Sequence, residues 1–144
     1  MMSFIKKNLL HIAFAQALLA MLVSLYFSEI LQFPPCVLCW YQRISMYPLV
    51  LLLGIGIYRQ DKTIYWYALP LAIVGWVIAV YHNLLYYKIL PESIQPCMLG
   101  VSCTTKFIEW FGFVTIPFLS FIAFSIIIIC LLVYKKLLKK ESKG

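Results

Sequence analysis

Four cysteines in this 144-residue chain stand at spacings that could do chemistry. Cys36 and Cys39 frame the segment Cys36-Val37-Leu38-Cys39, and Cys97 and Cys103 are separated by five residues. Three chemistries suit them. They could be closed as structural disulfides. They could hold a tetrahedral zinc, for which Cys-x-x-Cys is a known knuckle. Or they could trade electrons as thiol and disulfide. Rings this short restrain the unfolded chain by only about 2 kcal/mol each, a weak reason to place one at a helix start. The zinc reading lacks a second tight knuckle, because Cys97 and Cys103 lie too far apart in sequence. Pro34-Pro35 leads stiffly into the first pair, so a helix is expected to begin at or just after Cys36. A thiol there meets the positive end of the helix dipole, which favours thiolate at neutral pH. Arg43 follows Cys39 by four residues, one turn away on the same face. Its guanidinium would favour the thiolate and hold negative charge developing on a bound acceptor; the plainer role is snorkelling to lipid phosphates.

The elements that must position these residues are membrane spans. The chain is 64% hydrophobic and 12% charged, where a soluble domain has about a quarter of its residues charged. No Asp, Glu, Lys or Arg falls between Lys7 and Glu29, Lys62 and Lys88, or Glu109 and Lys135. Those gaps hold 21, 25 and 25 residues, and roughly 20 cross the hydrocarbon core as a helix. A fourth run, Ile44 to Tyr58, has 15 residues and at about 1.5 Å each is too short. Extending it back to about Cys39 puts Arg43 just beneath the membrane surface. The expected architecture is an all-α integral membrane four-helix bundle in one domain, with spans near 8–28, 39–58, 64–87 and 111–134. Two loops on one side each carry a cysteine pair.

The basic start and Ala13-Phe14-Ala15 have the look of a secretory signal. The apolar run is too long for one and the small residues come too early, so an uncleaved span is expected. Nine Lys and Arg fall on the side of the termini: Lys6, Lys7, Arg59, Lys62 and five from Lys135 onward. Only Arg43, Lys88 and Lys106 fall on the other. The positive-inside rule then sets both termini in the cytoplasm and the two pairs outside, where disulfides persist. The net charge of +7 is thus topological, and a nucleic-acid-binding face is excluded. Aromatics such as Trp40, Tyr58, Trp66 and Tyr87 gather near the span ends, as interfacial belts do. Pro48, Pro70 and Pro117 inside spans carry no functional signal. Cys130, deep in the inner half of the last span, is expected to be a small packing residue. The segment 135–144 reads as a soluble tail carrying the topology signal.

At Pro35-Cys36-Val37-Leu38-Cys39-Trp40-Tyr41-Gln42-Arg43, the Cys97/Cys103 pair, and Ile108-Glu109-Trp110-Phe111-Gly112 leading into span four, the chain resembles the DsbB/BdbC family of disulfide-formation proteins. The four-span layout extends the likeness over nearly the whole chain. The resemblance implies a membrane thiol:quinone oxidoreductase that reoxidises an extracytoplasmic thioredoxin-like thiol oxidase and passes electrons to the membrane quinone pool. It ranks menaquinone ahead of ubiquinone and implies no resident metal. By position, Cys97 would exchange with the partner and Cys103 would link transiently to Cys36. Cys39 would face the quinone beside Arg43, with His82 as a quinone contact or a helix-packing residue. Gln42 stands where some relatives have Glu. The second pair is closer together than in the best-known bacterial members, as in the shorter-loop subfamily. The competing reading is a membrane scaffold with two static disulfides. A third, an outward conduit for reductant, wants thiols accessible at mid-membrane or in the cytosol, which only Cys130 approaches.

Overall fold

A computed structural model describes residues 1–91, 93 and 115–144. Cys97, Cys103 and the expected start of the last span near 111 lie outside the described residues. The chain forms α1 (Met2–Leu25), a π-helical turn (Tyr26–Ile30) continuing it, α2 (Val37–Arg59), α3 (Tyr65–Tyr86) and α4 (Ile116–Lys143). All four helices are long and apolar enough to cross a membrane. Among the described residues there is no strand.

Helices overrun the charge gaps at the ends that carry the termini. α1 starts at Met2 and includes Lys6 and Lys7, and α4 continues through the expected tail to Lys143. The reason is that a gap in charge marks where hydrocarbon begins, whereas backbone hydrogen bonding continues into the polar zone. At about 1.5 Å per residue the 28 residues of α4 reach ~42 Å, beyond the ~30 Å of the apolar core. There Lys6, a residue 8% exposed, pairs through Nζ with the carboxylate of Glu141. That ion pair joins the two ends of the chain at one end of the bundle.

Neighbouring helices pack around a ring, α1 on α2, α2 on α3, α3 on α4 and α4 on α1. Lipid supplies no hydrophobic drive between helices, so close backbone approach by small residues carries the packing. On α3 these are Ala68, Ala72, Gly75 and Ala79, all buried. A Cβ on Gly75 would come within 2.2 Å of Phe124 on α4, so only glycine admits that ring. Two polar latches hold the same pair of helices: Trp76 Nε1 donates to Ser125 Oγ (2.9 Å), and Asn83 Nδ2 donates to the Pro117 carbonyl (2.9 Å). At the terminal end, Gln60 turns left-handed (φ 54°) and stops α2. Asp61 then accepts from Thr63 N (2.8 Å), Thr63 Oγ1 (2.7 Å) and the Tyr67 hydroxyl. These bonds, the one from Tyr67 foremost, hold the Asp61 carboxyl below its usual range.

Candidate active site

The cysteine end of α2 is built as the spacing predicts. Cys36 takes an extended conformation (φ −73°, ψ 171°) as the N-cap, and its Sγ accepts from the Cys39 backbone N–H at 3.4 Å. The sulfurs of Cys36 and Cys39 stand 3.0 Å apart. Zinc with Zn–S near 2.3 Å in a tetrahedron would hold two sulfurs about 3.7 Å apart. The observed 3.0 Å lies between that separation and the roughly 2.05 Å of a disulfide bond. Cys36 is buried and Cys39 half-buried. Cys36 lies just outside the spanning segment, and its thiol is held well below the usual range. The hydrogen bond from the Cys39 thiol is the main cause, working against desolvation, with His82 adding a smaller push in the same direction.

Arg43 does not snorkel. It is 8% exposed and reaches across to α1. Its Nε donates to Ser24 Oγ (2.8 Å), Nη2 to the Ser24 carbonyl (2.9 Å) and Nη1 to Ser28 Oγ (3.5 Å). Trp40 lies under the guanidinium, 5.3 Å from its ring centroid. The π-helical turn explains how α1 can serve it. Widening to i→i+5 bonding re-aims the carbonyls and side chains on either side of Tyr26, including Ser24 and Ser28.

Cys39 and Arg43 line a cavity of about 390 Å³ between α1, α2 and α4. Its walls are largely apolar, with Leu19, Val23, Met46, Leu119 and Phe124 among them, and Phe27, Phe33 and Pro34 lie at the cysteine end. Polar groups enter from Ser24, Ser28, Gln42, Gln16 and Ser120. An apolar cavity of this size with a few convergent polar groups is what a small-molecule site looks like. His82 is not among the lining residues. It projects from α3 against Cys36 instead, Nε2 to Sγ 3.8 Å, with Nδ1 3.3 Å from Gln42 Nε2. Cys130 is buried on α4 and is absent from both groups.

The family model described as disulfide bond formation protein DsbB matches residues 6–134. The chain belongs to the DsbB family. It is 54% identical over 125 residues to the disulfide bond formation protein C of Bacillus subtilis (strain 168), covering 85% of this chain and 91% of that protein. It is 50% identical to the probable disulfide formation protein C 2 of Bacillus anthracis, covering 90% and 92%. A probable disulfide formation protein of Metapseudomonas resinovorans is 42% identical, covering 90% of each chain. No solved structure matches the chain. Family and fold together make it a multi-pass membrane protein of disulfide bond formation, a redox protein of the DsbB family.

In this DsbB-family site Ser24 and Ser28 escape sequence reasoning, and Gln42 enters it only as a position where some relatives have Glu. Ser24 and Ser28 give one signal, two hydroxyls a turn apart near the end of a span, but nothing local ties them to Arg43. Gln42 stands beside Arg43 in sequence yet turns to a different partner, His82 on α3.

Proposed function

We propose that the chain is a thiol:quinone oxidoreductase of the cell membrane. It reoxidises an extracytoplasmic thioredoxin-like thiol oxidase and passes the electrons to quinone, which drives disulfide formation. The observation that carries this reading is the shared cavity. The same 390 Å³ space is lined by a cysteine of the close pair and by a buried guanidinium.

A quinone head group fits what lines that space. Of the five N–H groups of a guanidinium, three bind Ser24 and Ser28. Two remain for a carbonyl oxygen, while apolar walls suit the ring and its tail. Bound there, a quinone supplies a two-electron, two-proton sink. Arg43 would hold its oxygen and favour negative charge on it, and Cys39 would be the sulfur facing it. Menaquinone ranks ahead of ubiquinone on family resemblance.

The protein steps are thiol–disulfide exchanges. A thiolate of the partner attacks Cys97 Sγ, opening the Cys97–Cys103 bond, and the partner's second thiolate closes its own disulfide. The loop dithiol then exchanges with the Cys36–Cys39 disulfide through a Cys103–Cys36 link, and the electron pair comes to rest on Cys39. In net terms, dithiol plus quinone gives disulfide plus quinol, with two electrons and two protons moved. The positive-inside rule places these steps outside the cytoplasm.

The decisive experiment uses the purified full-length protein in detergent with a reduced thioredoxin-like dithiol protein and a soluble menaquinone analogue. Quinol should appear one for one with oxidised partner, and serine at Cys36, Cys39, Cys97 or Cys103 should stop it. A static scaffold yields no quinol above the protein-free rate, and that result would sink the proposal.

A further inference from the structure

His82 is 2% exposed, Gln42 6% and Cys36 6%. The three form a line from α3 and α2 to the sulfur: Gln42 Nε2 to His82 Nδ1 is 3.3 Å, and His82 Nε2 to Cys36 Sγ is 3.8 Å. Burying an imidazole among helices is costly unless its nitrogens are served. Here one is served by an amide and the other looks onto a redox-active sulfur. We propose that His82 is the proton acceptor and donor for Cys36, with Gln42 as the positioning residue that holds its ring through Nδ1. The inference rests on the redox reading of the Cys36/Cys39 pair but needs no quinone.

The chemistry balances at each exchange. When Cys36 attacks, its Sγ–H proton passes to His82 Nε2. The sulfur's electron pair then forms a bond to a disulfide sulfur, the old S–S bond breaks, and its pair departs on the leaving sulfur. When a bond at Cys36 is broken in turn, the pair returns to Cys36 Sγ and the imidazolium gives the proton back. Nε2 can accept the proton only if Nδ1 carries hydrogen, and the imidazolium that forms returns it from Nε2 with Nδ1–H kept throughout. With its carbonyl end turned to Nδ1, the Gln42 amide accepts from that N–H and holds the ring in the one tautomer the cycle needs. The depressed acidity range of Cys36 includes a contribution from His82. The titratable or charged neighbours that the described residues place around Cys36 are Cys39 and, a turn on, Arg43 from α2, with His82 and Tyr81 from α3.

The test is the pH profile of Cys36 alkylation by iodoacetamide in the reduced full-length protein, read by fragmentation mass spectrometry so that Cys39 is scored separately. His82→Gln keeps volume and polarity but accepts no proton. It should move the Cys36 midpoint upward by about one pH unit, lowering the rate below the midpoint about tenfold. Gln42→Leu should move it the same way, whereas Gln42→Glu should keep the midpoint at or below that of wild type by stabilising the imidazolium. Should His82→Gln fail to fold, the two Gln42 variants still read the relay. Wild-type midpoints in His82→Gln, or in both Gln42 variants, would overturn it. Failure of wild type to reduce quinone would instead count against the proposed function and leave these profiles as they stand.

Discussion

Arg43 carries the strongest residue-scale expectation, because three of its hydrogen bonds are fixed to α1 and the turn that continues it, while the residue also lines the cavity. Lysine keeps the charge but not the planar fork. It cannot hold Ser24 and an oxygen in the cavity together. Arg43→Lys should insert and fold, yet show a KM for quinone raised roughly ten- to a hundredfold, matching the ~1.5–3 kcal/mol of one charge-assisted bond. Steady-state quinone reduction at equal folded concentration decides it, and an unchanged KM would return Arg43 to a structural role. What sequence could show here was Arg43 a turn beyond Cys39, since both lie on one helix. Its partners lie 15 and 19 residues back across a loop, and no local pattern encodes such a contact. Apart from the family resemblance, His82 was legible only as a histidine near a helix end. α3 is apolar all round, so periodicity leaves its rotation undetermined and cannot say whether a residue meets the cavity or the thiol.

Among the elements, two turns have testable mechanics. The turn between α2 and α3 depends on an ionised Asp61 accepting from Thr63 and Tyr67. Its folded pKa is depressed. The stabilisation is therefore present above the unfolded value of about 3.9 and is lost as pH falls through the folded value. Asp61→Asn should lower Tm in detergent at pH 7, and the gap from wild type should narrow as pH falls below that unfolded value. A gap independent of pH would deny the carboxylate its role. The π-helical turn Tyr26–Ile30 holds one residue more than α geometry would. Deleting Leu25 should restore α-helix and shift Ser28, which lies inside the widened turn, out of reach of Arg43, while Ser24 before it stays. Circular dichroism should be unchanged and the KM for quinone should rise about fivefold, the worth of a ~1 kcal/mol hydrogen bond. Loss of folding instead would mean the extra residue serves packing. Charge gaps made the spans legible, but this widened turn left no trace in composition, because its Tyr-Phe-Ser-Glu-Ile would fit an ordinary helix equally well.

At the scale of the whole molecule, the ion pair of Lys6 with Glu141 brings the first and last helices together at one end. With nine cations on that side against three on the other, the termini and the 59–63 turn should face the cytoplasm. Reporter fusions at Gly144 and Thr63 should read cytoplasm and one at Ile94 the outside; a Gly144 fusion active outside would invert the proposed compartment of the chemistry. The same ion pair bears on connectivity. Four helices packed in a closed ring, with chain ends adjacent and a turn on that same face, have no privileged starting helix. A short Gly/Ser linker from Gly144 to Met1, with new ends opened at Lys62, should give a circular permutant that runs α3, α4, α1, α2 and inserts in the same sense. Its cavity and cysteine pair would be intact, since neither touches the cut. Wild-type quinone reduction by that permutant would show that helix order in the gene is separable from helix order in the bundle, and that α1 need not be first made to receive Arg43.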